Sequence, residues 1–265
     1  MHGRVLIIAG SDSGGGAGIQ ADIKTVTMLG GFAMTAITAL TAQNTEGVFG
    51  VLPIAPDFIG QQIAVVLDDI GADALKTGML HDAAVIETVA AVIAERAAGV
   101  PLIVDPVMVA KGGAPLIEES AIGALKRLLV PQAAVLTPNL PEAEILAGHA
   151  IADLAAMRAT ATQLLALGCR AVLLKGGHLR GDIVYDVLAT ASGLRVWDSP
   201  RIESRHTHGT GCTLASAIAT GLAQGLAIEA AVERARLYVQ RAIASAPSFG
   251  RGHGPLDHAH PLRPE

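Results

Sequence analysis

The sequence is poor in aromatic residues, in cysteine and in clustered basic residues. Aromatic side chains make up 3% of the 265 residues and charged side chains 16%, whereas hydrophobic residues account for 51%. A core with so few rings must consist mainly of Ala, Val, Ile and Leu, as in parallel strands covered by alanine-rich helices. The formal net charge of -5 and the lack of a lysine- or arginine-rich run argue against a nucleic-acid partner.

Cysteines and long apolar runs are scarce as well. Cys169 and Cys212 are too few for a disulfide framework, which indicates a reducing cytoplasm. The N-terminal apolar run stops at Ser11 and Asp12, too early for a secretory signal peptide. Elsewhere Glu, Arg or Gly interrupts each apolar stretch before the ~20 residues that a membrane-spanning helix needs. We therefore expect a cytoplasmic protein with no membrane partner.

Short apolar runs alternate with helical patterns along the chain. Buried strands are predicted at 5–8, 32–40, 72–77, 102–104, 133–136 and 169–174. The segment 48–54 is predicted as a flap or edge strand, and 182–188 with 194–198 as an antiparallel hairpin at the sheet edge. Helices are predicted over 56–69, 83–98, 117–129, 153–167 and 228–246, and two more start in glycine-rich turns.

This alternation shows no internal repeat and no linker, which predicts a single domain over residues 1–265. The predicted fold class is α/β, with a doubly wound, mostly parallel sheet and helices on both faces in three layers. Sheets of this kind bind ligands outside the carboxyl ends of their strands. We therefore expect the functional residues directly after the predicted strands.

Two glycines bracket a threonine in Gly209-Thr210-Gly211-Cys212, directly before a run of small and aliphatic residues. The run predicts a buried helix, whose first N–H groups lack partners and whose dipole adds partial positive charge. Glycine lets a ligand approach the backbone closely, so this turn can bind an anion, most naturally a phosphate. Cys212 lies at its mouth, where a thiolate would be stabilised. The alternative is a tight turn before a core helix with an inert buried thiol.

A second glycine-rich turn spans Gly10 to Asp22 and follows the first predicted strand. So many glycines cost backbone entropy, and close approach of a ligand is one reason to keep them. The alternative is a flexible surface turn. The polar residues Ser11, Asp12 and Asp22 beside the glycines favour a binding site.

Three further strand ends carry polar side chains. Gln43 can both donate and accept hydrogen bonds, so it could read the edge of an amide-like or amidine ring. The alternative for Gln43 and Asn44 is ordinary turn chemistry. Asp105 directly follows a strand, a frequent catalytic or metal-binding placement. Lys175, followed by two glycines, is a plausible phosphate contact.

Asn139 and Glu142 lie three residues apart where a short helix is predicted to begin. That spacing places both side chains on one face, and oxygen ligands of this kind suit Mg²⁺, often through water. The alternative is a helix cap, in which Asn139 or Thr137 caps the helix and the Glu142 carboxylate interacts favourably with the positive end of the helix dipole.

Three other segments have simpler interpretations. Cys169 begins an apolar strand and is predicted to pack in the core as an inert thiol. Lys111-Gly112-Gly113 is predicted to form a loop. The segment 250–265, rich in Gly, Pro and His, is predicted to be a solvated tail rather than a metal site.

The ordered set of motifs closely resembles that of the hydroxymethylpyrimidine/phosphomethylpyrimidine kinases, within the ribokinase-like superfamily. The resemblance spans nearly the whole chain. It rests on Ala9–Asp12, Gly15–Lys24, Ile37–Thr45, Lys76–Leu80, Asp105–Met108, Leu136–Ala143, Lys175–His178 and Thr207–Thr213. Gly14 departs from the family pattern, where many relatives have Ser, and we expect little effect because the flanking glycines remain.

This resemblance implies a ribokinase-like fold and a two-step kinase of thiamine biosynthesis. The implied reactions are ATP-dependent phosphorylation of 4-amino-5-hydroxymethyl-2-methylpyrimidine, and then of its monophosphate to the pyrophosphate. ATP and Mg²⁺ are implied as cosubstrate and cofactor, and a homodimer as the assembly. A cysteine at position 212, where most superfamily members have Asp, is typical of this branch and of related pyridoxal-phosphorylating enzymes.

The resemblance also implies how the pyrimidine is held. The ring would lie over the turn at Gly10, with Gln43 reading its amino and ring nitrogens. Asp22 would lie near the hydroxymethyl end, and Met79 and Val107 would supply apolar walls.

A second set of residues is implied in phosphoryl transfer. Cys212 would position or deprotonate the substrate hydroxyl, and the backbone N–H groups from Gly209 to Cys212, including Gly211, would neutralise the transferred group. Lys175, Thr210 and Asp105 would contact ATP. Glu142 and Asn139 would hold Mg²⁺ through water, with Asp105 as a further ligand.

Two alternatives to this function stay open from the sequence. The nearest is a pyridoxine or pyridoxal kinase of the same branch. The other is a non-catalytic pyrimidine-binding sensor, which the retention of Cys212, the glycine turn and Glu142 disfavours.

Overall fold

The computed structural model describes residues 1–108 and 118–263. Its strands are β1 Arg4–Ala9, β2 Phe32–Ile37, β3 Ala39–Gln43, β4 Val48–Pro53, β5 Ala74–Thr77, β6 Leu102–Val104, β7 Ala133–Leu136, β8 Ala171–Lys175, β9 Ile183–Thr190 and β10 Gly193–Pro200. Its helices are α1 Gly18–Met28, α2 Pro56–Asp69, α3 Ala83–Arg96, α4 Glu119–Ala124, α5 Leu140–Ala147, α6 Leu154–Leu165, α7 Thr210–Ala223 and α8 Ile228–Ala244. A π-helical turn, Leu125–Leu129, continues α4.

The central sheet has eight strands in the order β10-β9-β8-β7-β6-β5-β1-β2. All neighbours from β8 to β2 pair in parallel, whereas β9 is antiparallel to β8 and to β10. The mostly parallel, doubly wound α/β class and the edge hairpin are therefore confirmed. The strand order reverses between β1 and β5, which is the place where this architecture opens a ligand crevice.

The sheet is buried on both faces because successive strand residues point in opposite directions. In β1, Leu6 and Ile8 belong to an apolar cluster shared with α2, α3, α5 and α6, and Val5 and Ile7 belong to a second cluster shared with α7 and α8. All four of these side chains have no solvent exposure. This arrangement explains why the strands read as continuous apolar runs rather than alternating ones.

The predicted strand 32–40 is two strands in the structure. The chain leaves the central sheet at Thr38, whose hydroxyl donates to the carbonyl oxygen of Met79 at 2.7 Å. Beyond that residue β3 pairs with β4 as a separate antiparallel flap. The sequence did not reveal this break, because Thr38 lies within a mostly apolar run. In the structure this residue is fully buried beside β1.

Helices α3 and α6 begin directly after capping aspartates. The carboxylates of Asp82 and Asp153 accept hydrogen bonds from the backbone N–H groups of Val85 at 2.9 Å and Ala156 at 2.8 Å. The predicted helix 117–129 is present from residue 119, and its first residue and the predicted loop at 111–113 lie outside the described residues. Within the described part of the chain, no helix combines the length and the apolar character that crossing a membrane requires.

Residues 254–258 are packed against the molecule, so the prediction of a solvated tail is wrong for this part of the segment. Leu256, Asp257 and His258 are buried, and Pro255 forms a bridge with His208. The imidazole of His258 lies 2.9 Å from the hydroxyl of Thr213 in α7. The composition of this segment suggested exposure, but its contacts are made by residues far away in the sequence.

Candidate active site

A cavity of about 840 Å³ opens at the carboxyl ends of the parallel strands. Its wall includes the residues directly after β1, β5 and β6 and the last residue of β8, and the first turn of α7 closes one side. That volume lies in the upper part of the usual range for small-molecule sites, about 300–1,000 Å³. Every predicted site residue except Asp22 lines it: Gly10, Gln43, Met79, Asp105, Val107, Asn139, Glu142, Lys175, Gly209, Thr210, Gly211 and Cys212.

The glycine turn at the start of α7 packs against the first glycine-rich turn. Gly209 has a left-handed φ of 81°, and a Cβ there would overlap the carbonyl oxygen of Gly16. Thr210 is the first helical residue, and its hydroxyl donates to the carbonyl oxygen of Thr207 at 2.7 Å. The N–H groups of this first turn have no acceptor within the helix and carry the positive end of its dipole. The geometry is therefore suited to binding an anion.

A cationic side chain faces this helix start. A Cβ built on Gly211 would lie 3.3 Å from Nζ of Lys175 and 3.7 Å from Oδ2 of Asp105. Nζ of Lys175 lies 3.1 Å from Oδ1 of Asp105, and Thr137 donates to the same oxygen at 3.1 Å. Burial opposes the charge of Lys175, but Asp105 and Glu142 raise its pKa above the ordinary lysine value. The ammonium therefore stays charged beside the helix start.

Cys212 does not have the lowered pKa that we expected at a helix start. Burial raises the pKa of its thiol to about 11, with Lys76 acting in the opposite direction and Asp22 and Asp105 adding to the rise. A thiol with this pKa is protonated at neutral pH. The helix dipole does not overcome the cost of removing the thiolate from water, so a pre-formed thiolate base is not supported.

Asp22 and Lys76 form an ion pair beneath Cys212. Nζ of Lys76 lies 2.9 Å from Oδ2 of Asp22, and the hydroxyl of Ser216 donates to Oδ1 of Asp22 at 2.7 Å. Neither charged side chain has any solvent exposure. Asp22 is not among the residues that line the cavity, which corrects its predicted contact with the hydroxymethyl end. Lys76 does line the cavity, although the sequence assigned it no role.

Another part of the cavity wall, the ring end, has the residues predicted to hold a ring. A Cβ on Gly10 would lie 2.6 Å from Cε of Met79, so any other residue at this turn would displace the end of the methionine side chain. Val107 has a positive φ of 28°, an unusual conformation for a branched residue. The amide of Gln43 lies between Thr41 and His208, with its two ends 3.2 Å and 3.1 Å from them.

His208 and Asp12 were not assigned roles from the sequence. Nε2 of His208 lies 3.0 Å from Oδ2 of Asp12, and the Asp12 carboxylate also accepts from the backbone N–H groups of Gly14, Gly16 and Ala17. Burial opposes the charge, but these hydrogen bonds lower the pKa of Asp12. Asp12 thus orders the first glycine turn and connects it to the second.

Asn139 and Glu142 form the helix cap that was the alternative to a metal site. Oδ1 of Asn139 accepts from the N–H of Glu142 at 3.0 Å, and Oε2 of Glu142 accepts from the N–H of Asn139 at 2.8 Å. Burial raises the pKa of Glu142, against the attraction of Lys175. Among residues 1–108 and 118–263, no group of three His, Cys, Asp or Glu side chains is arranged to hold a metal ion.

The fold and the cavity define a class of protein. A mostly parallel α/β sheet, with a glycine-rich helix start facing a largely buried lysine across an open cavity, is the arrangement of a ribokinase-like small-molecule kinase. Residues 12–257 match the profile of the phosphomethylpyrimidine kinase family. The chain belongs to that family.

Curated relatives agree with this assignment. A hydroxymethylpyrimidine/phosphomethylpyrimidine kinase of Streptomyces coelicolor is 48% identical over 97% of this chain and 95% of its own length. The Bacillus subtilis protein of the same name is 48% identical over 96% of this chain and 94% of its own. The thiamine biosynthesis bifunctional protein ThiED of Geobacter sulfurreducens is 52% identical over 97% of this chain, which spans only 52% of that longer protein.

Solved structures share the fold. The ADP complex of Bacillus subtilis pyridoxal kinase has a TM-score of 0.91 at 37% identity, covering 98% of both chains. The phosphomethylpyrimidine kinase of Clostridium difficile has a TM-score of 0.81 at 40% identity, covering 91% of this chain and 99% of that one. Both kinds of vitamin kinase are therefore structural neighbours of this chain.

Proposed function

We propose that this protein transfers phosphate from ATP to 4-amino-5-hydroxymethyl-2-methylpyrimidine and then to the monophosphate, giving the pyrophosphate for thiamine biosynthesis. One observation carries the proposal. The anion-binding start of α7 with Lys175 and the hydrogen-bonding amide of Gln43 line the same cavity, so it offers both phosphate and ring contacts. The names of the relatives at 48% identity support the same reaction.

The nucleotide would occupy the side of the cavity beyond α7. Its wall there includes Pro200, Ile202, Val239 and Ile243, which offer apolar contacts to a base. Lys175 and the N–H groups of the first α7 turn would contact the phosphates. Thr210 directs its hydroxyl hydrogen at 2.7 Å and its backbone N–H at 3.4 Å to the carbonyl oxygen of Thr207, so the N–H groups of Gly211 and Cys212 would make the main phosphate contacts.

The oxygen atoms around Asp105 fit a magnesium ion bound mainly by ATP phosphates. Asp105, Glu142 and Asn139 all line the cavity, and carboxylate and amide oxygens are hard ligands of the kind that Mg²⁺ takes through water. The capping hydrogen bonds of Glu142 and Asn139 leave lone pairs on their oxygens. When bound, the ion would neutralise phosphate charge, and these residues would hold its water shell.

Cys212 would hold the substrate hydroxyl as a protonated thiol and not as a pre-formed thiolate. Because a loose phosphoryl-transfer transition state needs little help from a base, the protonated thiol can first orient the attacking oxygen. Late in the transfer it would pass its own proton to a phosphate oxygen of the nucleotide, and the thiolate so formed would take the proton of the substrate hydroxyl. Lys76 and the first turn of α7 would then stabilise the negative charge that forms on sulfur. Burial alone, which raises the thiol pKa, would otherwise oppose that step.

A coupled ADP-release assay with MgATP tests the proposal. Purified protein is offered the hydroxymethylpyrimidine or pyridoxal, and the mass of the product distinguishes one added phosphate from two. We expect a higher kcat/KM on the pyrimidine and a product with two phosphates. A much higher kcat/KM on pyridoxal would support the second candidate, a pyridoxal kinase, which the TM-score of 0.91 to such an enzyme favours.

We also infer a single-domain, cytoplasmic homodimer. One eight-stranded sheet takes strands from Arg4 to Pro200, and helices from both ends of the chain cover it, which supports one domain. Both cysteines are unpaired, as in proteins of reducing compartments.

The flap of β3 and β4 exposes Leu40, Phe49 and Leu52, an apolar surface suited to a second copy. Size-exclusion chromatography with light scattering tests the dimer, with Phe49→Asp as the comparison.

A further inference from the structure

Three side chains from distant parts of the chain meet in a row at the ring end of the cavity. Nε2 of His208 lies 3.0 Å from Oδ2 of Asp12 and 3.1 Å from the amide of Gln43. The first pair is separated by 196 residues and the second by 165. His208 and Gln43 line the cavity, whereas Asp12 is buried behind them.

The Asp12 carboxylate determines which nitrogen of His208 carries a proton. Its hydrogen bonds with His208 and with backbone N–H groups lower the pKa of Asp12 despite burial, so it is ionised at neutral pH. An ionised carboxylate only accepts hydrogen bonds. Nε2 of His208, which faces it at 3.0 Å, must therefore be a donor.

The protonated Nε2 in turn determines the orientation of the Gln43 amide. The oxygen and nitrogen ends of a glutamine have nearly the same shape, so the hydrogen-bond network assigns them. The structure places the amide nitrogen of Gln43 3.1 Å from His208, where an N–H donor would repel it. Exchanging the two ends of the amide removes this conflict and puts the carbonyl oxygen on the His208 side. The NH2 group faces the Thr41 hydroxyl at 3.2 Å, which is free to accept because it donates to the Ser11 carbonyl at 2.8 Å.

We propose that Asp12 and His208 are positioning residues that hold the Gln43 amide in one orientation and thereby set which ring edge the site accepts. With the carbonyl oxygen on the His208 side, Gln43 accepts from an exocyclic amino group and donates to the neighbouring ring nitrogen. A ring that presents an oxygen acceptor instead of the amino group would meet that carbonyl oxygen unfavourably. The inference takes the identity of the ring from the proposed function. The arrangement of Asp12, His208 and Gln43 does not depend on that function.

The proton on His208 can be observed directly by nitrogen NMR of the full-length, ¹⁵N-labelled protein. The His208 signals are assigned by their loss in His208→Gln. We expect the chemical shift of Nε2 to be that of a protonated nitrogen at neutral pH. An unprotonated Nε2 would overturn the proposal whether or not the protein phosphorylates the pyrimidine, so this result is independent of the kinase assay.

Two substitutions separate hydrogen bonding from mere packing. His208→Gln keeps an NH2 group that can donate to Asp12 and to Gln43, whereas His208→Leu keeps a similar volume and removes the donor. We expect His208→Leu to raise the pyrimidine KM about tenfold, the equivalent of one net hydrogen bond, with kcat changed less than about threefold. His208→Gln should keep KM within about threefold of the parent.

Selectivity is the readout that a structural role would not change. We expect the ratio of kcat/KM for the pyrimidine over pyridoxal to fall about tenfold in His208→Leu and to be retained in His208→Gln. The KM for ATP serves as the internal control. Equal losses of selectivity in both variants, or an effect on kcat alone, would contradict the positioning role. Should His208→Leu fail to fold, the NMR measurement on the parent protein decides.

Discussion

Lys76 and Asp22 form an ion pair with a 2.9 Å contact between Nζ and Oδ2, and neither side chain is exposed to solvent. The pair lies under the thiol of Cys212, whose pKa responds to both charges. Burying two charges costs desolvation energy that their mutual attraction only partly returns. Its position beside the cavity suggests that the pair is kept for the charge it places there rather than for stability.

Removing one member of this pair should destabilise the protein strongly. We expect Lys76→Met to lower the free energy of unfolding by about 3–5 kcal/mol, because the Asp22 carboxylate is left buried without its partner. Urea denaturation followed by circular dichroism measures the change. Arg96→Met, which breaks the exposed pair with Asp68, is the matched control and should cost at most about 1 kcal/mol. Similar losses in both variants would contradict the interpretation.

Cys212 should affect turnover far more than substrate binding. We expect Cys212→Ser to lower kcat about 100-fold, within the usual range for removal of a proton-accepting group, with the pyrimidine KM changed less than about threefold. An alcohol accepts negative charge much less readily than a thiol, which is the physical reason. Steady-state kinetics with Cys169→Ser as the control tests it, since Cys169 is buried in the core and does not line the cavity. Turnover that survives nearly intact would exclude this role.

Gly211 should be intolerant of even one methyl group. The Cβ of Gly211→Ala would lie 3.3 Å from Nζ of Lys175, in the space that a phosphate would share with that ammonium. We expect the KM for ATP to rise at least about tenfold while the melting temperature changes little, because φ at this helical position is ordinary. Gly50→Ala in the flap, whose Cβ would meet only Ala42 at 3.8 Å, is the comparison. An unchanged ATP KM would show that the phosphates lie elsewhere.

His258 should make stability depend on pH in the acidic range. Burial lowers its pKa to about 4, against 6.5 for an ordinary histidine, so the unfolded chain takes up a proton before the folded protein does. The contribution of His258 is therefore complete above about pH 6.5 and is lost as the pH falls toward 4, amounting to about 3 kcal/mol.

The pH dependence of His258 is measured by urea unfolding at several pH values between 4 and 7. His258→Gln keeps an acceptor for the Thr213 hydroxyl but cannot titrate, so the slope of its unfolding free energy against pH should be smaller than that of the parent. Parallel slopes in the two proteins would rule out His258 as the titrating group.

The parts that could be predicted from the sequence are those that depend on neighbouring residues. The caps at Asp82 and Asp153 are local features of this kind, because each carboxylate and the backbone N–H that donates to it lie three residues apart. The strand runs were equally clear because burial on both faces requires continuous apolar residues. The Asn139 cap was also foreseen, although as the alternative to a metal site.

What was missed depends on contacts between distant residues. The position of Asp22 differs from expectation because its partner Lys76 is 54 residues away and withdraws it from the cavity. His208 stood in a recognised motif, but only the fold brings it to Asp12 and Gln43. The pKa of Cys212 could not be inferred either, since a helix start lowers it and burial raises it, and only the packed structure shows which effect is larger.

The packing of residues 253–258 against the cavity has a consequence for the order in which the protein is made. His253 lines the cavity, Pro255 pairs with the residue that orients Gln43, and His258 contacts the first turns of α7. A nascent chain that has emerged only as far as residue 250 already contains every strand of the sheet but lacks this part of the wall. The cavity wall would therefore be completed only after these residues leave the ribosome, later than the last strand of the sheet.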